Sequence, residues 1–272
     1  MRSATLSVAA ILIVASAAFA FRANPEAEVV APPPAATAPA AEAASAVTWR
    51  RPDGPVRIAL QAGHWKAREA PDEQAGLRDN GTRGGGKAEW EVNLEIARRT
   101  AAILEDSGYS VEILPTTIPP AYWADLFISI HADGHTSPRI SGYRAAPPRR
   151  DATGRAAEFA DLLDRTYGQE TGLPYYGTVT RRMRGYYAFN YRRYDHALHP
   201  MTVGVILETG FLTSPRDRGI LVESPDRAAR GIARAVSQFV SPVPPLVSPS
   251  VTIPLTLRPH RTLTRPDADQ AR

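Results

Sequence analysis

Between about residues 51 and 240, short apolar runs alternate with segments in which apolar residues recur every three or four positions. The runs at 56–60, 126–130 and 203–207 have the length and the continuous apolarity of strands that are buried on both faces. A further strand is predicted at 110–114.

Three other segments have the periodicity of helices. Residues 89–107 place their apolar side chains on one face and are followed by Gly108, a residue type that commonly ends helices. A second helix is predicted over 156–167, and a third begins with Ser224 as its N-cap and Pro225 at its first position. Strands and helices that alternate in this way predict a single α/β domain, with a central, twisted, largely parallel sheet flanked by helices.

The two ends of the chain differ in composition from the segment between them. Residues 1–21 combine a positive charge at Arg2, an apolar stretch and the small-x-small pattern at 18–20 that signal peptidases recognise. The same stretch is just long enough to be an uncleaved membrane anchor. Both alternatives predict export, to the periplasm, the cell wall or the extracellular space. Residues 22–50 are predicted to be an Ala/Pro-rich linker, and 241–272 a disordered tail rich in Pro and Arg.

The chain of 272 residues has no cysteine, which restricts the chemistry open to it. Disulfides, thiolate metal sites and cysteine nucleophiles are excluded, so any transition metal would need His, Asp or Glu as ligands. The formal net charge of +4 favours anionic partners in general. Because no helix-turn-helix, zinc-finger or RNA-binding pattern accompanies this charge, we predict no nucleic-acid partner.

Three predicted strands are each followed by a residue that is able to bind a metal or to move a proton: His64, His131 and Glu208. The carboxyl ends of parallel strands meet at one edge of a sheet, where these side chains can converge with Glu89 on a returning loop. Two imidazoles and a carboxylate with an open position form the ligand set of hydrolytic zinc sites. A histidine at a strand end can equally be a packed or surface residue, and Glu89 can serve the dipole of its helix.

Residues 56–240 resemble the zinc-dependent N-acetylmuramoyl-L-alanine amidases, because four short motifs occur in the order seen in that family. These motifs are Gly63-His64, Glu89-Trp90-Glu91-Val92-Asn93-Leu94, Ser129-Ile130-His131-Ala132-Asp133 and Leu207-Glu208-Thr209-Gly210-Phe211-Leu212. The resemblance implies that His64, Glu89 and His131 hold Zn²⁺. It also implies that Glu208 is the catalytic acid and base. Glu89 is favoured over Glu91 because it has the family ligand's spacing from the following Asn-Leu pair.

The resemblance further implies the reaction, which is hydrolysis of the amide bond between N-acetylmuramic acid and L-alanine in peptidoglycan. Zinc is then the cofactor and peptidoglycan the partner. Three alternatives stay open. They are a non-catalytic peptidoglycan-binding module with the same fold, a zinc hydrolase of another cell-envelope bond, and an anchored structural protein that binds no metal. Nothing in the sequence demands more than a monomer.

The chain departs from the family pattern around the proposed ligands and keeps the ligands themselves. Residues 61–66 read Gln-Ala-Gly-His-Trp-Lys where the family has Asp-Pro-Gly-His-Gly-Gly, and residues 76–87 form an extended loop before Glu89. The segment 116–125 is short and lacks the usual arginine, and Asp133 replaces the more usual asparagine. These changes concern contacts to the substrate more than the chemistry.

The segment 175–194 is unusually rich in tyrosine and arginine. Arg184, Tyr186 and Tyr187 are candidate contacts to a glycan peptide, because aromatic rings stack on sugars and a guanidinium holds carboxylates. The alternative is a segment whose tyrosines are half-buried for packing alone. His135 is an alternative metal ligand to be checked against the structure.

Overall fold

The computed structural model describes residues 49–240. The predicted export segment at 1–21, almost all of the predicted linker and the predicted tail at 241–272 lie outside the described residues. Within residues 49–240, no helix has both the length and the apolar character that crossing a membrane requires.

Seven strands occur in this part of the chain. In chain order they are β1 (Arg57–Ala62), β2 (Arg83–Gly84), β3 (Lys87–Ala88), β4 (Ser110–Leu114), β5 (Leu126–Asp133), β6 (Arg144–Ala146) and β7 (Val203–Phe211). The short β2 and β3 form a hairpin of their own, and the other five form one sheet in the order β4-β1-β5-β7-β6. Only the edge strand β6 is antiparallel to its neighbour, so the predicted largely parallel sheet is confirmed.

Five α-helices accompany the strands within residues 49–240. They are α1 (Glu89–Asp106), α2 (Ala156–Thr171), α3 (Arg181–Arg184), α4 (Pro215–Leu221) and α5 (Pro225–Val240). Short 3₁₀ helices lie at Ala67–Glu69, Asp72–Leu77 and Tyr187–Phe189. The predicted limits of α1 and α5 agree with the structure: Gly108 has a φ of +87° just after α1, and α5 begins at Pro225. The sequence did not predict α3, α4 or β6, because segments this short show no periodicity.

The two faces of the sheet are covered differently. Successive strand residues point to opposite faces, so a continuous apolar run supplies two cores. The even-numbered residues of β5 pack in the larger core together with α1, α2 and α5. Phe127 packs in a second core, which irregular segments and α3 close. By the same alternation, the side chains of Ser129 and His131 lie on the same face of the sheet as Phe127. The long helices do not cover this face.

A β-bulge lies at the carboxyl end of the two central strands. His131 pairs with Glu208, but Asp133 pairs with Phe211, so β7 contains one residue more than β5 between these pairs. A bulge bends a strand and redirects its side chains, and such bulges often lie beside active sites. The register therefore places Glu208 directly beside His131.

A close contact between α2 and α5 generates a prediction about stability. A Cβ atom at Gly231 would lie 2.9 Å from the Cα atom of Tyr167, and the hydroxyl of Thr166 donates to the Gly231 carbonyl at 2.9 Å. We expect Gly231→Ala to lower the free energy of unfolding by about 1–3 kcal/mol, because the added methyl group forces the two helices apart.

Gly219→Ala is the matched control, since Gly219 lies in α4 and a Cβ atom there would meet nothing within 4 Å. This change should raise the free energy of unfolding by about 0.5–1 kcal/mol, because alanine loses less backbone entropy than glycine. Denaturant unfolding measures both variants. A Gly231→Ala variant as stable as the parent chain would contradict the close packing.

Candidate metal centre

The side chains of His64, Glu89 and His131 meet at the carboxyl edge of the sheet. Their ligand atoms all lie within 4.8 Å of one another. Oε1 of Glu89 lies 3.1 Å from Nδ1 of His131 and 3.5 Å from Nε2 of His64. The centroids of the two imidazole rings are 5.1 Å apart, with the rings nearly perpendicular. The structure thus brings together three residues that stand far apart in the sequence.

Glu89 is the buried centre of this group, with only 3% of its surface exposed. Its Oε2 accepts the backbone N–H of Thr82 at 2.9 Å, and its Oε1 accepts that of Ala132 at 3.2 Å. Burial raises the pKa of Glu89, but the hydrogen bond with His131 and the charges of both imidazoles hold that pKa below its ordinary value. Glu89 therefore stays a carboxylate.

The interaction between Glu89 and His131 shifts the pKa of His131 in the opposite direction. Burial lowers the pKa of His131, but the hydrogen bond and the charge of Glu89 hold that pKa above its ordinary value. The ring lies directly over Gly63, where a Cβ atom would overlap the ring atoms. The glycine of the Gly63-His64 motif therefore provides the space that the second imidazole occupies.

His64 is oriented by Asp79. The residue has a φ of +62°, and its Nδ1 lies 2.8 Å from Oδ1 of Asp79 and 3.2 Å from the Asp79 carbonyl. Both of these oxygens only accept hydrogen bonds, so Nδ1 carries the proton and Nε2 keeps the lone pair that faces Glu89. A carboxylate behind a histidine in this way is typical of metal-binding histidines.

The extended loop before α1 folds over the metal ligands. Gly81 has a φ of +66°, its N–H donates to Asp79 at 2.8 Å, and a Cβ atom there would overlap Oε2 of Glu89. The β2–β3 hairpin then returns the chain to the start of α1. This loop therefore supplies both the residue that orients His64 and a backbone donor to Glu89.

The donor set fits a metal ion. Two imidazole nitrogens and one carboxylate oxygen are ligands that suit zinc and related divalent cations, and no thiolate is required. Nε2 of His64 and Oε1 of Glu89 face each other as two acceptors. That arrangement is favourable only with a proton or a cation between them, and a cation would also offset the cost of burying the carboxylate.

The centre lies in an open cleft with a volume of about 520 Å³, which is the size of pockets that bind small molecules and peptides. The cleft is lined by His64, Thr82, Glu89, His131, Ala132, Asp133, Gly134, His135, Thr136, Glu208 and Thr213. A metal held by the three ligands would therefore be accessible to a substrate from the cleft.

Glu208 is the other carboxyl group beside the ligands. Burial raises the pKa of Glu208 to about 8, and the nearby charge of His131 offsets this only in part. Asp133 also lines the cleft, but its carboxylate forms an ion pair with the buried Arg144. Within residues 49–240, Glu208 forms no such pair with an arginine or a lysine, so its carboxyl group is the one available for proton transfer.

The three candidate substrate residues do not line this cleft. Arg184 borders a separate surface pocket, together with Arg149 and Arg150. Tyr187 is buried in the second core, with its hydroxyl bonded to the carbonyl of Thr116. Tyr186 approaches the centre from behind, with its hydroxyl 3.4 Å from Nε2 of His131. Their role as substrate contacts stays a prediction.

His135 lines the cleft without joining the donor group. Its Nδ1 accepts the N–H of Ser137 at 2.9 Å, and the ring is exposed. Sequence reasoning missed Asp79 altogether. The only signal for it was a carboxylate within the extended loop, since nothing in the sequence shows that this loop folds back onto His64.

Comparisons with known proteins find a family model and several solved structures that are similar to this chain. Residues 58–238 match the family model Amidase_3, described as N-acetylmuramoyl-L-alanine amidase. Among solved structures, the N-acetylmuramoyl-L-alanine amidase AmiC2 of Nostoc punctiforme is 22% identical, with a TM-score of 0.51 over 70% of this chain and 100% of that one.

Two further solved structures are similar. The N-acetylmuramoyl-L-alanine amidase from Clostridium difficile 630 is 18% identical, with a TM-score of 0.51 over 70% of this chain and 98% of that one. Ami1 from Mycobacterium smegmatis is 20% identical, with a TM-score of 0.50 over 68% of this chain and 97% of that one. At such identities the likeness shows the shared fold. No curated protein matches the chain.

The fit of Gly81 against Glu89 generates a prediction about metal binding. We expect Gly81→Ala to lower the affinity for Zn²⁺ by about tenfold or more, because the methyl group displaces the Glu89 carboxylate. Competition with a chromogenic chelator measures this affinity. Gly76→Ala is the control in the same loop, since a Cβ atom there meets nothing within 4 Å. Equal affinities of the two variants would show that the loop does not position Glu89.

Proposed function

Since the chain belongs to the N-acetylmuramoyl-L-alanine amidase family, we propose that it is a zinc-dependent hydrolase of peptidoglycan. The bond cleaved is the amide between N-acetylmuramic acid and the L-alanine of the stem peptide. The observation that carries this proposal is the convergence of His64, Glu89 and His131 within 4.8 Å, beside Glu208 and in an open cleft.

Zinc is the metal that this donor set favours. The ligands would be His64 through Nε2, Glu89 through its carboxylate and His131. Zinc supplies Lewis acidity, which acidifies water and polarises a carbonyl group at neutral pH. The protein contributes a fixed ligand geometry, because Asp79 orients His64 and the backbone of Thr82 holds Glu89.

Glu208 is the proposed acid and base of the reaction. Its carboxyl group lines the cleft on the strand next to His131, where it can reach a water molecule and the amide nitrogen of a bound substrate. In its ionised form, Glu208 takes a proton from the attacking water, and it later delivers this proton to the leaving amine. The ion pair with Arg144 keeps Asp133 out of this role.

Export fits the proposed substrate, because peptidoglycan lies outside the cytoplasmic membrane. The apolar segment within residues 1–21 is the proposed export signal or anchor. We propose a monomer, since the ligands and Glu208 all come from one chain.

The amidase proposal predicts one zinc ion per chain and release of stem peptides from purified peptidoglycan. Elemental analysis measures the zinc, and mass spectrometry of the products identifies the bond. We expect released peptides that begin with a free L-alanine amino group, and we expect a chelator to stop their release. Products cut within the glycan or the peptide would instead show a hydrolase of another envelope bond. Binding to peptidoglycan with no product would indicate a non-catalytic module.

Glu208→Gln separates proton transfer from metal binding. The amide keeps the shape of the carboxyl group but cannot move a proton, so we expect a loss of turnover of about 10²–10⁴-fold with zinc content unchanged. The control is His131→Ala, which should lose both zinc and turnover. Near-normal turnover of Glu208→Gln would rule out the acid and base role.

A further inference from the structure

A buried polar cluster lies behind His131, on the side away from the cleft. It comprises Gln61 and Ser129, which are direct neighbours on β1 and β5, and the hydroxyls of Tyr186 and Tyr187. Gln61 and Ser129 are completely buried. The proposed reaction uses none of these groups, although Tyr186 contacts a metal ligand.

The hydrogen bonds fix which way the Gln61 amide points. Its Nε2 lies 2.6 Å from the carbonyl oxygen of Thr116, and a carbonyl only accepts, so the nitrogen must face this oxygen. The second proton of the same nitrogen goes to the Tyr187 hydroxyl at 2.8 Å. Oε1 therefore points the other way and accepts two hydrogen bonds, from the hydroxyls of Ser129 at 2.6 Å and Tyr186 at 2.9 Å.

The orientation of the Gln61 amide determines that Nε2 of His131 carries a hydrogen. Because Tyr186 gives its proton to Gln61, its oxygen is free only to accept a hydrogen bond from its other neighbour. That neighbour is Nε2 of His131 at 3.4 Å, so Nε2 carries a hydrogen. Nδ1 is then the nitrogen that would give up its proton to bind a metal. Nδ1 is the atom that faces Glu89 at 3.1 Å.

We propose that Tyr186, held by Gln61, is a positioning residue that makes His131 offer Nδ1 to the metal. The proposal rests on the metal site of the proposed function. Packing supports it, since the Tyr186 ring contacts the His131 ring edge-on at 5.5 Å and lies against Tyr187 and Phe189.

The two imidazoles are then oriented by different means. A carboxylate on an exposed loop, Asp79, faces His64, whereas a neutral hydroxyl in the interior faces His131. The resembling family usually has aspartate at the position of Gln61. An aspartate has no N–H to give to the carbonyl of Thr116, so the orientation of Tyr186 described here depends on the amide of Gln61.

Tyr186→Phe tests the proposal, because it removes one oxygen and leaves the ring packing in place. In the full chain we expect the affinity for Zn²⁺, measured by competition with a chelator, to fall about 10–100-fold. The control is Tyr143→Phe, which removes a hydroxyl bonded to the Asp164 carbonyl at 2.7 Å and leaves the cluster untouched. This control should bind zinc as the parent chain does.

A second measurement reports which nitrogen of the His131 imidazole carries the proton. In the zinc-loaded protein with ¹⁵N-labelled histidine, we expect the spectrum to show His131 with its proton on Nε2 and the metal on Nδ1. Exchange of that proton with solvent should be faster in Tyr186→Phe. It should also be faster in Gln61→Met, which keeps the tyrosine and removes the acceptor that orients it, together with the amide donor to Thr116 and Tyr187.

Three results would overturn the positioning role. They are unchanged zinc affinity in Tyr186→Phe, an equal loss in Tyr143→Phe, and a spectrum that places the metal on Nε2 of His131. A further outcome separates the two proposals. If the parent chain binds zinc and Tyr186→Phe weakens this binding as expected, but no stem peptide is released, the positioning role is supported and only the amidase assignment is wrong. A parent chain without zinc affinity would remove both.

Discussion

The buried carboxylate of Glu89 is the constraint on which the rest of the site depends. A carboxylate with 3% of its surface exposed needs several donors or charges to offset its lost hydration. Here backbone N–H groups of the extended loop and of β5 donate to it, and two imidazoles flank it. These partners come from three separate parts of the chain, namely the extended loop, β5 and the segment that follows β1. Burial of the Glu89 side chain therefore requires the observed strand register, the observed path of the loop and the observed start of α1, since each of them supplies or positions a partner of the carboxylate.

Two departures from the family pattern, the residues after His64 and the extended loop before Glu89, meet around the Glu89 carboxylate. After His64 the chain continues with Trp65 and Lys66 in place of two glycines, and both His64 and Lys66 have positive φ values. The extended loop that follows provides Asp79 for His64 and Gly81 at the back of Glu89. The segment after β1 and the long loop thus form one structure around His64 and Glu89.

The uneven covering of the sheet explains why polar groups reach the back of the site. On one face, the long helices α1, α2 and α5 pack their apolar side chains against the sheet. On the other face, irregular segments and short helices pack on the strands, and tyrosines enter between them. A histidine on that face has a cleft on one side and hydrogen-bonding groups on the other. One imidazole is thereby able to serve a metal with one nitrogen while the protein holds the other.

Local patterns in the sequence were sufficient for four of the five strands of the sheet, for the long helices and for the residues that converge at the edge of the sheet. Buried strands have apolar runs, helix ends have characteristic residues such as Gly108 and Pro225, and the residue after a parallel strand lies at a known edge. Only the tertiary structure decided that Asp79 orients His64, that Arg184 lies away from the cleft and that Tyr186 reaches His131. The hydrogen bond between Tyr186 and Gln61 joins residues 125 positions apart. Such contacts depend on how separate segments pack together, and no periodicity or spacing within one segment encodes that packing.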